Sequence, residues 1–393
     1  MKRYFITGLA LLSLFRLSAQ NAEKDSTGYK SRKLKIEEIN LVSAYYSQDG
    51  NKSAVTGGRG TEKLTDISNT LDVKLIHYSE SGKKHTLNVE AGIDFYTSAS
   101  SDHIDLQANS SASSQDVRFY PSVNYEIENE EKGNSMAFGV SSSTEFDYQS
   151  FGANAGYSVK TKDRNGEFTA KIQAFMDQVK MILPVELRTG ENDAGTEARN
   201  TFAGSLSYSQ VVNRNFQIML LADIIKQNGY LALPFHRVYF DDGSVHQENL
   251  PDSRLKIPVA LRANYFLGDN IIIRTYYRFY TDDWGITSHT IDLEVPVKIS
   301  PFFSVSPFYR YYSQDAVKYF KGYGLHNGTE EFYTSNYDLS KFNSNFLGLG
   351  FRFMPIKGVL GMKHFNMIEI RYGHYTKTTD MISDIISVNF RYK

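Results

Sequence analysis

The sequence predicts an all-β protein: a single transmembrane antiparallel β-barrel of about 16 strands, with long extracellular loops and short periplasmic turns. Three observations support this fold class. Apolar and polar residues alternate along most of the chain. The alternating runs last about ten to thirteen residues, which is close to the length of a tilted strand that crosses a bilayer. The connections between them alternate between short turns and long polar segments.

The composition excludes several other classes of protein. Lys and Arg (43) balance Asp and Glu (44) over 393 residues, so the chain lacks the positive field of a nucleic-acid-binding protein and we expect no nucleic-acid partner. There is no cysteine, which excludes disulfides, thiolate metal sites and a cysteine nucleophile. No internal apolar run approaches the roughly 20 residues of a membrane helix.

The first 20 residues have the pattern of an export signal. A basic start at Lys2 and Arg3 precedes an apolar stretch of signal-peptide length, and small residues near Ala19 offer a cleavage site. We therefore expect a cleaved signal peptide and export to the cell outer membrane. The predicted division of the chain is a signal peptide at 1–20, a polar N-terminal segment at 21–33 and an outer-membrane β-barrel at 34–393.

Sixteen segments show strand-like alternation, most clearly between Leu87 and Tyr96. In hydrocarbon, an open sheet edge would leave backbone groups unpaired at several kcal/mol each, so these strands are expected to close into a barrel. A soluble β-sandwich is the alternative, but it does not explain the asymmetry of the loops. The predicted strands are 36–46, 68–78, 85–97, 116–128, 135–148, 151–161, 167–179, 200–212, 215–225, 255–267, 270–282, 287–298, 302–313, 342–354, 364–375 and 380–392.

The residues opposite the apolar set are expected to line the lumen. Ionised groups at membrane depth must face water or pair with one another, so these residues predict either a bracing ladder of salt bridges or a selectivity lining for a charged solute. Their mixed signs indicate no simple anion or cation preference. The candidates on the later strands are Arg262, Arg274, Arg278, Asp292, Glu294, Arg310, Arg352, Glu369 and Arg371; earlier strands add Glu90, Asp94, Arg118, Glu126, Glu145 and Asp147.

Long polar loops are predicted at 47–67, 98–115, 180–199, 226–254 and 314–341. The loop at 226–254 is the densest in aromatic and titratable residues, and its candidate site residues are His236, Arg237, Asp241, Asp242, His246 and Asp252. Imidazole and carboxylate groups could ligate a metal ion. The Asp-Asp-Gly sequence at 241–243 is also ordinary turn chemistry, however, so the metal is left unknown and a loop that caps the lumen is favoured.

Four stretches of the chain resemble a known family: Ala54–Leu64, Gly92–Asp102, Leu233–Phe240 and Tyr337–Phe342. They are similar to a Bacteroidota family catalogued as domain of unknown function 3570, and the resemblance covers nearly the whole mature chain. It implies an outer-membrane barrel with no assigned reaction, and it supplies no catalytic residues. Relatives are often encoded beside periplasmic flavin transferases and thioredoxin-like proteins, which implies a link to an envelope redox or metal system.

The favoured function is a channel or transporter for a small polar solute, in contact with outer-membrane lipid and without a cofactor. The alternative is a non-enzymatic scaffold in an envelope redox or metal-handling complex, which would have a periplasmic or lipoprotein partner. A barrel enzyme is a third hypothesis, although we expect no enzymatic activity. It rests only on histidines in loops and near strand ends: His103, His236, His246, His289 and His374.

Overall fold

The structure is a computed structural model that describes residues 32–97, 115–188 and 195–393. The predicted signal peptide lies outside the described residues, as does most of the predicted loop at 98–115. The predicted division at residue 34 therefore stays a prediction, although the first strand already begins at Arg32.

A 17-stranded antiparallel sheet forms the wall of the molecule, and a separate two-stranded hairpin lies in one of the loops. The hairpin consists of β10 and β11. The strands are β1 (Arg32–Gly50), β2 (Leu64–Tyr78), β3 (Lys84–Thr97), β4 (Gln115–Asn129), β5 (Asn134–Thr144), β6 (Tyr148–Lys160), β7 (Gly166–Lys180), β8 (Thr196–Asn213), β9 (Phe216–Gly229), β10 (Arg237–Tyr239), β11 (Val245–Gln247), β12 (Ser253–Leu267), β13 (Ile271–Asp282), β14 (Thr287–Glu294), β15 (Val297–Ser300), β16 (Phe303–Gln314), β17 (Phe342–Phe353), β18 (Phe365–Lys377) and β19 (Met381–Tyr392).

The sheet closes on itself. β1 pairs with β2 on one side and with β19 on the other, and β9 pairs directly with β12. β14 and β15 both lie between β13 and β16, so they are two segments of one crossing and the wall has 16 crossings. Closure leaves no sheet edge with unpaired backbone groups, as a wall surrounded by lipid requires.

The outer surface of the barrel is apolar. Phe138, Phe151 and Ile172 are 53, 64 and 67 % exposed, and they belong to a set of exposed apolar residues that continues around the whole barrel. Because side chains alternate along a strand, the neighbours of these residues face the interior. A closed barrel with an apolar exterior is the form in which strands span a bilayer, so the predicted fold class is confirmed.

The two rims differ, as the alternating connections predict. Turns of a few residues follow β2, β4, β6, β8, β12 and β15, whereas the opposite rim carries the long loops after β1, β7, β9 and β16. Within the described residues, helices occur only as single 3-10 turns, at Ala54–Thr56, Val185–Leu187, Tyr337–Leu339 and Val359–Gly361. None of the helices in the described ranges is long and apolar enough to cross a membrane.

Two predicted strands are wrong in detail. The strand predicted at 135–148 ends at Thr144, so Glu145 and Asp147 lie in the turn that leads into β6. The strand predicted at 287–298 breaks after Glu294, because Pro296 has no N–H to donate to the neighbouring strand.

Tyrosines at the strand ends divide between the two faces of the wall. Tyr45 is 45 % exposed on the outside, whereas the next residue, Tyr46, points inward and donates a hydrogen bond to Gln48 at 2.6 Å. An outward girdle therefore contains only one residue of this pair, because adjacent side chains on a strand point to opposite faces.

Candidate functional site: the lumen wall and the loop cap

All nine residues predicted on the later strands lie on the inner face of the wall. They are neighbours in sequence of exposed apolar residues such as Leu261, Ile291 and Phe351, and side chains alternate along a strand. Register pairs place them side by side: Arg274 opposite Glu294, and Arg352 opposite Glu369. The set consists of Arg262 on β12, Arg274 and Arg278 on β13, Asp292 and Glu294 on β14, Arg310 on β16, Arg352 on β17, and Glu369 and Arg371 on β18.

Five of these side chains form one continuous ladder of ion pairs. The order along the ladder is Arg274, Glu294, Arg371, Glu369 and Arg352. The successive nitrogen–oxygen distances are 3.3, 2.9, 3.2 and 2.6 Å. Each carboxylate contacts two guanidinium groups, which neutralises charge that would be costly to bury alone. The ladder therefore links four strands of the wall through their side chains.

The contact between Arg371 and Glu294 spans two intervening strands. Arg371 starts on β18 and reaches β14 across the inner faces of β16 and β17. Its guanidinium lies 4.9 Å from the centre of the Phe308 ring. Gly350 on β17 lies beside this path, where a Cβ atom would make an ordinary van der Waals contact with the Arg371 side chain at 3.4 Å. The sequence pattern places the two residues on one face but gives no sign of this long reach.

A polar cavity of about 210 Å³ opens beside the ladder. Arg310 and Asp292 form an ion pair at its wall, with a distance of 2.6 Å between Nη2 and Oδ2. Glu294, Arg371 and Phe308 line it as well. The cavity therefore presents both signs of charge and an aromatic ring to a small solute.

The inner wall is accessible to water at the depth of the ladder. The side chains of Arg274, Arg310 and Arg352 are 41, 52 and 42 % exposed although they point into the barrel. A lumen packed with side chains would bury them. About sixteen strands enclose a space that side chains alone do not fill, so this exposure agrees with the barrel's size.

Two further lumen arginines have no carboxylate within ion-pair distance among the described residues. Arg262 is exposed, and its guanidinium lies 5.6 Å from the centre of the Tyr276 ring. Arg278 has a buried Nε atom with no hydrogen-bond acceptor. These two residues fit the second sequence hypothesis, a charged lining, better than the first.

Acidic side chains dominate the inner face of β2, β3 and β4. Asp72 is the register partner of Glu90 across β2 and β3. Asp94 accepts a hydrogen bond from the Tyr120 hydroxyl at 3.0 Å, and Glu126 lies on β4. Arg118 lies among them and bonds to the Ser143 hydroxyl at 2.9 Å rather than to a carboxylate.

Three carboxylates meet at the long-loop rim above this wall: Asp116, Glu145 and Asp147, whose oxygens lie within 4.8 Å of one another. The Tyr96 hydroxyl donates to Glu145, and the backbone N–H of Val117 donates to Asp116 at 2.7 Å. The sequence analysis missed Asp116, although its alternation with Val117 placed it on the inner face. Within the described ranges, this is the group with the spacing of a metal site, rather than the residues of the predicted loop site.

The long loops pack into a cap, which we define as residues 51–63, 181–188, 230–252 and 315–341. The most buried side chains of the described structure are found here, including Val238 at 0 % and Trp284 at 3 % exposure just below it. One apolar cluster joins Ala232, Leu250 and Val317 to that tryptophan. The cap is therefore an ordinary hydrophobic core built from loops.

Arg237 joins three loops of the cap. It is 5 % exposed and pairs with Glu186 through two bonds of 2.9 Å, in the bidentate geometry that suits a guanidinium and a carboxylate. Its third bond, of 2.8 Å, goes to the backbone oxygen of Val55. The loop-site candidate Arg237 is thus held inside the cap and not presented to solvent.

A buried carboxylate, Glu248, holds the loop around β10 and β11 against the loop 315–341. It accepts from the Leu233 N–H at 2.9 Å and from the Thr334 hydroxyl at 2.5 Å, and His236 Nδ1 lies 3.7 Å away. Burial opposes ionisation, yet His236 and these two donors together lower the pKa of Glu248 below its ordinary value.

A buried histidine, His326, contacts two other residues of its own loop, 315–341. Its Nδ1 lies 2.6 Å from a Glu330 oxygen and its Nε2 lies 3.0 Å from the backbone oxygen of Thr334. Since both partners accept hydrogen bonds, the ring satisfies both only when both nitrogens carry protons. Lys321 pairs with the same glutamate.

Inner-face side chains anchor the cap to the wall at several points around the barrel. Gln48 on β1 donates to the Glu62 backbone at 3.1 Å. Arg199 on β8 donates to the Tyr230 backbone at 2.8 Å. Further anchors come from β16 and β18: Gln314 Nε2 to the Ser340 backbone at 2.6 Å, and Lys377 Nζ to Asp338 at 2.6 Å. The loops therefore fold inward over the lumen.

The other loop-site candidates do not converge. Asp242 accepts from the Ser244 N–H at 2.8 Å in a tight turn, and Asp241 donates its backbone N–H to the His326 carbonyl. The His246 ring packs against the Phe240 ring in a tilted arrangement, with 4.2 Å between their centres. Asp252 contributes its backbone oxygen to Gly229 N–H. These residues stabilise turns and the cap, and their predicted role as a ligand site stays a prediction.

The histidines that suggested an enzyme lie apart. His289 and His374 sit on the outer face of the wall, where they bond to Tyr277 at 2.9 Å and to Asp384 at 2.8 Å. His236 and His246 lie in the cap, and His103 is outside the described residues. In a hydrolytic triad one histidine contacts both an acid and a nucleophilic hydroxyl. His374 contacts Asp384 and His246 contacts the Ser244 hydroxyl at 2.9 Å, but none of these four described histidines contacts both kinds of partner.

Comparisons with solved structures return matches at very low identity. OccK9 (OpdG) of Pseudomonas aeruginosa is 8 % identical over 92 % of this chain and 98 % of its own, with a TM-score of 0.43. A BenF-like porin of Pseudomonas fluorescens Pf-5 is 9 % identical over 91 % and 98 %, with a TM-score of 0.42. CdiB of Acinetobacter baumannii is 10 % identical over 90 % and 60 %, with a TM-score of 0.46. At this similarity they say nothing of a solute.

The sequence comparison gives the family but no activity. No curated protein matches the chain. A family profile described as "Protein of unknown function (DUF3570)" matches residues 5–381, which span all four stretches that carry the resemblance. The Bacteroidota origin is not tested by this match. The chain belongs to the DUF3570 family of proteins of unknown function.

Proposed function

We propose that this protein is an outer-membrane channel through which a small polar solute diffuses. The observation that carries the proposal is the water-exposed, charged inner wall: Arg274, Arg310 and Arg352 remain 41, 52 and 42 % exposed inside a closed barrel. A charged, hydrated lumen bounded by an apolar exterior is what a porin-type barrel requires.

The proposed location is the outer membrane, with lipid as the partner of the apolar exterior. An export signal at 1–20 would deliver the chain to the envelope, and the closed wall would insert there without a membrane helix. The long-loop rim would then face outward and the short turns would face the periplasm. The scaffold alternative gains no support from the comparisons, and it stays a prediction that co-purification with a periplasmic or lipoprotein partner would test.

Single-channel recording in a planar bilayer tests the channel directly. The protein is refolded into detergent, its closed barrel is verified by its faster migration on an unheated SDS gel, and it is added to one side of the membrane. We expect discrete conductance steps that scale with salt concentration. A verified barrel that inserts into liposomes but never conducts would show that the lumen is blocked and would refute the channel.

A further inference from the structure

We infer that the lumen carries a transverse electric field and is tuned for small zwitterionic solutes, in preference to neutral or singly charged solutes of the same size. The inference rests on the proposed channel function and adds the class of solute. It follows from the positions of the unpaired charges around the barrel. The net charge of the whole chain, which is close to zero, gives no sign of their separation.

The order of the strands around the wall shows which strands face each other across the lumen. Following the hydrogen-bonded neighbours in either direction, β13 lies eight crossings from β3 in a ring of 16 crossings, so the two strands face each other across the lumen. By the same reasoning, β12 faces β2 and the crossing of β14 and β15 faces β4. The topology therefore defines two opposed walls, which we name by these strands.

The β12–β14 wall carries a surplus of positive charge. Its carboxylates are already paired with arginines: Asp282 with Arg254, Asp292 with Arg310, and Glu294 with Arg274 and Arg371. Arg262 and Arg278 are left without a carboxylate partner in the described part of the chain. Arg278 even has a buried Nε atom with no acceptor.

The β2–β4 wall carries a surplus of negative charge. Two cations of this wall are paired, Lys74 with Glu37 at 3.3 Å and Lys84 with Glu128 at 3.8 Å. Arg118 bonds to the Ser143 hydroxyl instead, so its charge offsets one carboxylate of the wall. Among the described residues, Asp72, Glu90 and Glu126 have no cation within ion-pair distance. Glu90 lies near the middle of its strand, as Arg262 does on the opposite wall.

The two walls attract and repel the charged groups of a solute that lies between them. A cation is attracted by one wall and repelled by the other, and the reverse holds for an anion, so neither gains strongly. A solute with separate ammonium and carboxylate groups gains at both walls when it turns its cationic end toward β2–β4. Low-dielectric walls focus such a field, which strengthens it relative to bulk water. The cavity beside Arg310 and Asp292 shows the same pairing of signs at smaller scale.

The test uses four three-carbon probes of similar size in proteoliposome swelling: β-alanine, lactamide, propionate and propylammonium. We expect the wild-type protein to pass β-alanine several-fold faster than lactamide, with the two ions close to each other and slower than β-alanine. Equal rates for β-alanine and lactamide in a conducting channel would overturn the inference and leave the proposed function intact. A silent wild-type barrel would refute the proposed function and, with it, this inference.

A double variant isolates the field from the net charge. Arg262→Gln with Glu90→Gln removes one charge from each wall and leaves the net charge of the lumen unchanged. We expect the preference for β-alanine to fall by at least about half while conductance and reversal potential stay as in the wild type. If this variant fails to fold, Arg278→Gln with Asp72→Asn makes the same balanced change. A preference retained in a folded balanced variant would overturn the inference.

Discussion

At the scale of single residues, Arg278 is the most direct probe of the lumen. It points inward from β13 without a carboxylate partner among the described residues. Replacing Arg278 with glutamine removes a positive charge from the path of permeating ions. We expect the permeability ratio of cations over anions to rise on the order of twofold, because the lining then repels cations less.

The measurement for Arg278→Gln is the reversal potential in a salt gradient. Arg214→Gln is the matched control, since it removes the same charge from the exposed turn between β8 and β9. An unchanged reversal potential in both variants would mean that Arg278 does not line the conducting path.

A substitution of the buried Glu248 tests what stabilises the cap. Glu248→Gln keeps the shape but turns part of the group into a donor, so that the Leu233 N–H or the Thr334 hydroxyl loses its acceptor. We expect the cap to lose about 1–3 kcal/mol of stability. Hydrogen exchange of residues 230–252 should speed up, whereas exchange in the wall strands should not change; slow exchange in the variant's cap would contradict the role assigned to Glu248.

The same carboxylate predicts a pH dependence. Because the pKa of Glu248 is lowered in the folded cap, the stabilisation is fully present above the carboxyl's ordinary pKa of 4.5 and is lost as the pH falls through the lowered value. Hydrogen exchange of the cap, corrected for the intrinsic pH dependence of exchange, should therefore show loosening only in acid. Loosening that begins above pH 6 would point to a different group.

Alternation along a strand assigns side chains to a face of the wall but does not identify their partners. Alternation is enough to place Arg371 and Glu294 on the inner face, because the side-chain period of a strand is two. It cannot reveal that the arginine crosses two strands to reach the glutamate, because that contact depends on the order of the strands in the closed wall.

At the scale of elements, a small residue on the inner face of β17 is needed for close packing against β16 and β18. A Cβ atom at Gly348 would lie 2.0 Å from the Tyr372 backbone oxygen and 2.5 Å from the Phe308 ring. Gly348→Ala should therefore lower barrel stability by about 1–3 kcal/mol. Gly204→Ala on the outer face of β8 is the control for a methyl group added without a clash, since its Cβ would meet only Ile224 at 3.6 Å.

Urea unfolding from liposomes measures both glycine variants. We expect the midpoint to fall for Gly348→Ala and to stay at the wild-type value for Gly204→Ala. Equal midpoints for the two variants would show that β17 and β18 can separate enough to admit the methyl group.

Element boundaries show where a sequence pattern stops being informative. The strands of the wall were predicted to within a few residues at most ends because lipid imposes a strict alternation on them. The break after Glu294 was missed although Pro296 signals it, since the proline occupied a polar position of the alternation. A loop that caps the lumen was predicted at 226–254, but its contacts were not, because pairs such as Arg237 with Glu186 join segments about fifty residues apart.

At the scale of the whole molecule, the apolar exterior predicts how the barrel responds to charge. Ile172 and Gln173 are neighbours near the middle of β7, and they face lipid and lumen respectively. Ile172→Lys should cost about 2–4 kcal/mol of folding free energy in a bilayer, because a lysine at the midplane must leave water. Gln173→Lys should cost much less, since its side chain points into the hydrated lumen.

Both lysine variants can be compared by refolding into liposomes at graded urea concentrations. The expected order of stability is wild type, Gln173→Lys, then Ile172→Lys by a wide margin. The reverse order for the two variants would invert the assignment of inner and outer faces for the whole wall.

The wall and the cap bury their apolar side chains in opposite directions. The wall turns them outward and depends on a surrounding micelle or bilayer, whereas the cap gathers Val238, Ala232 and Leu250 inward and depends on surrounding water. A detergent that replaces lipid around the wall also competes for the cap's interior. Harsh extraction should therefore leave a ring of strands that still migrates as a folded species on a gel while its entrance has already come apart, so the mildness of the detergent decides which protein is being assayed.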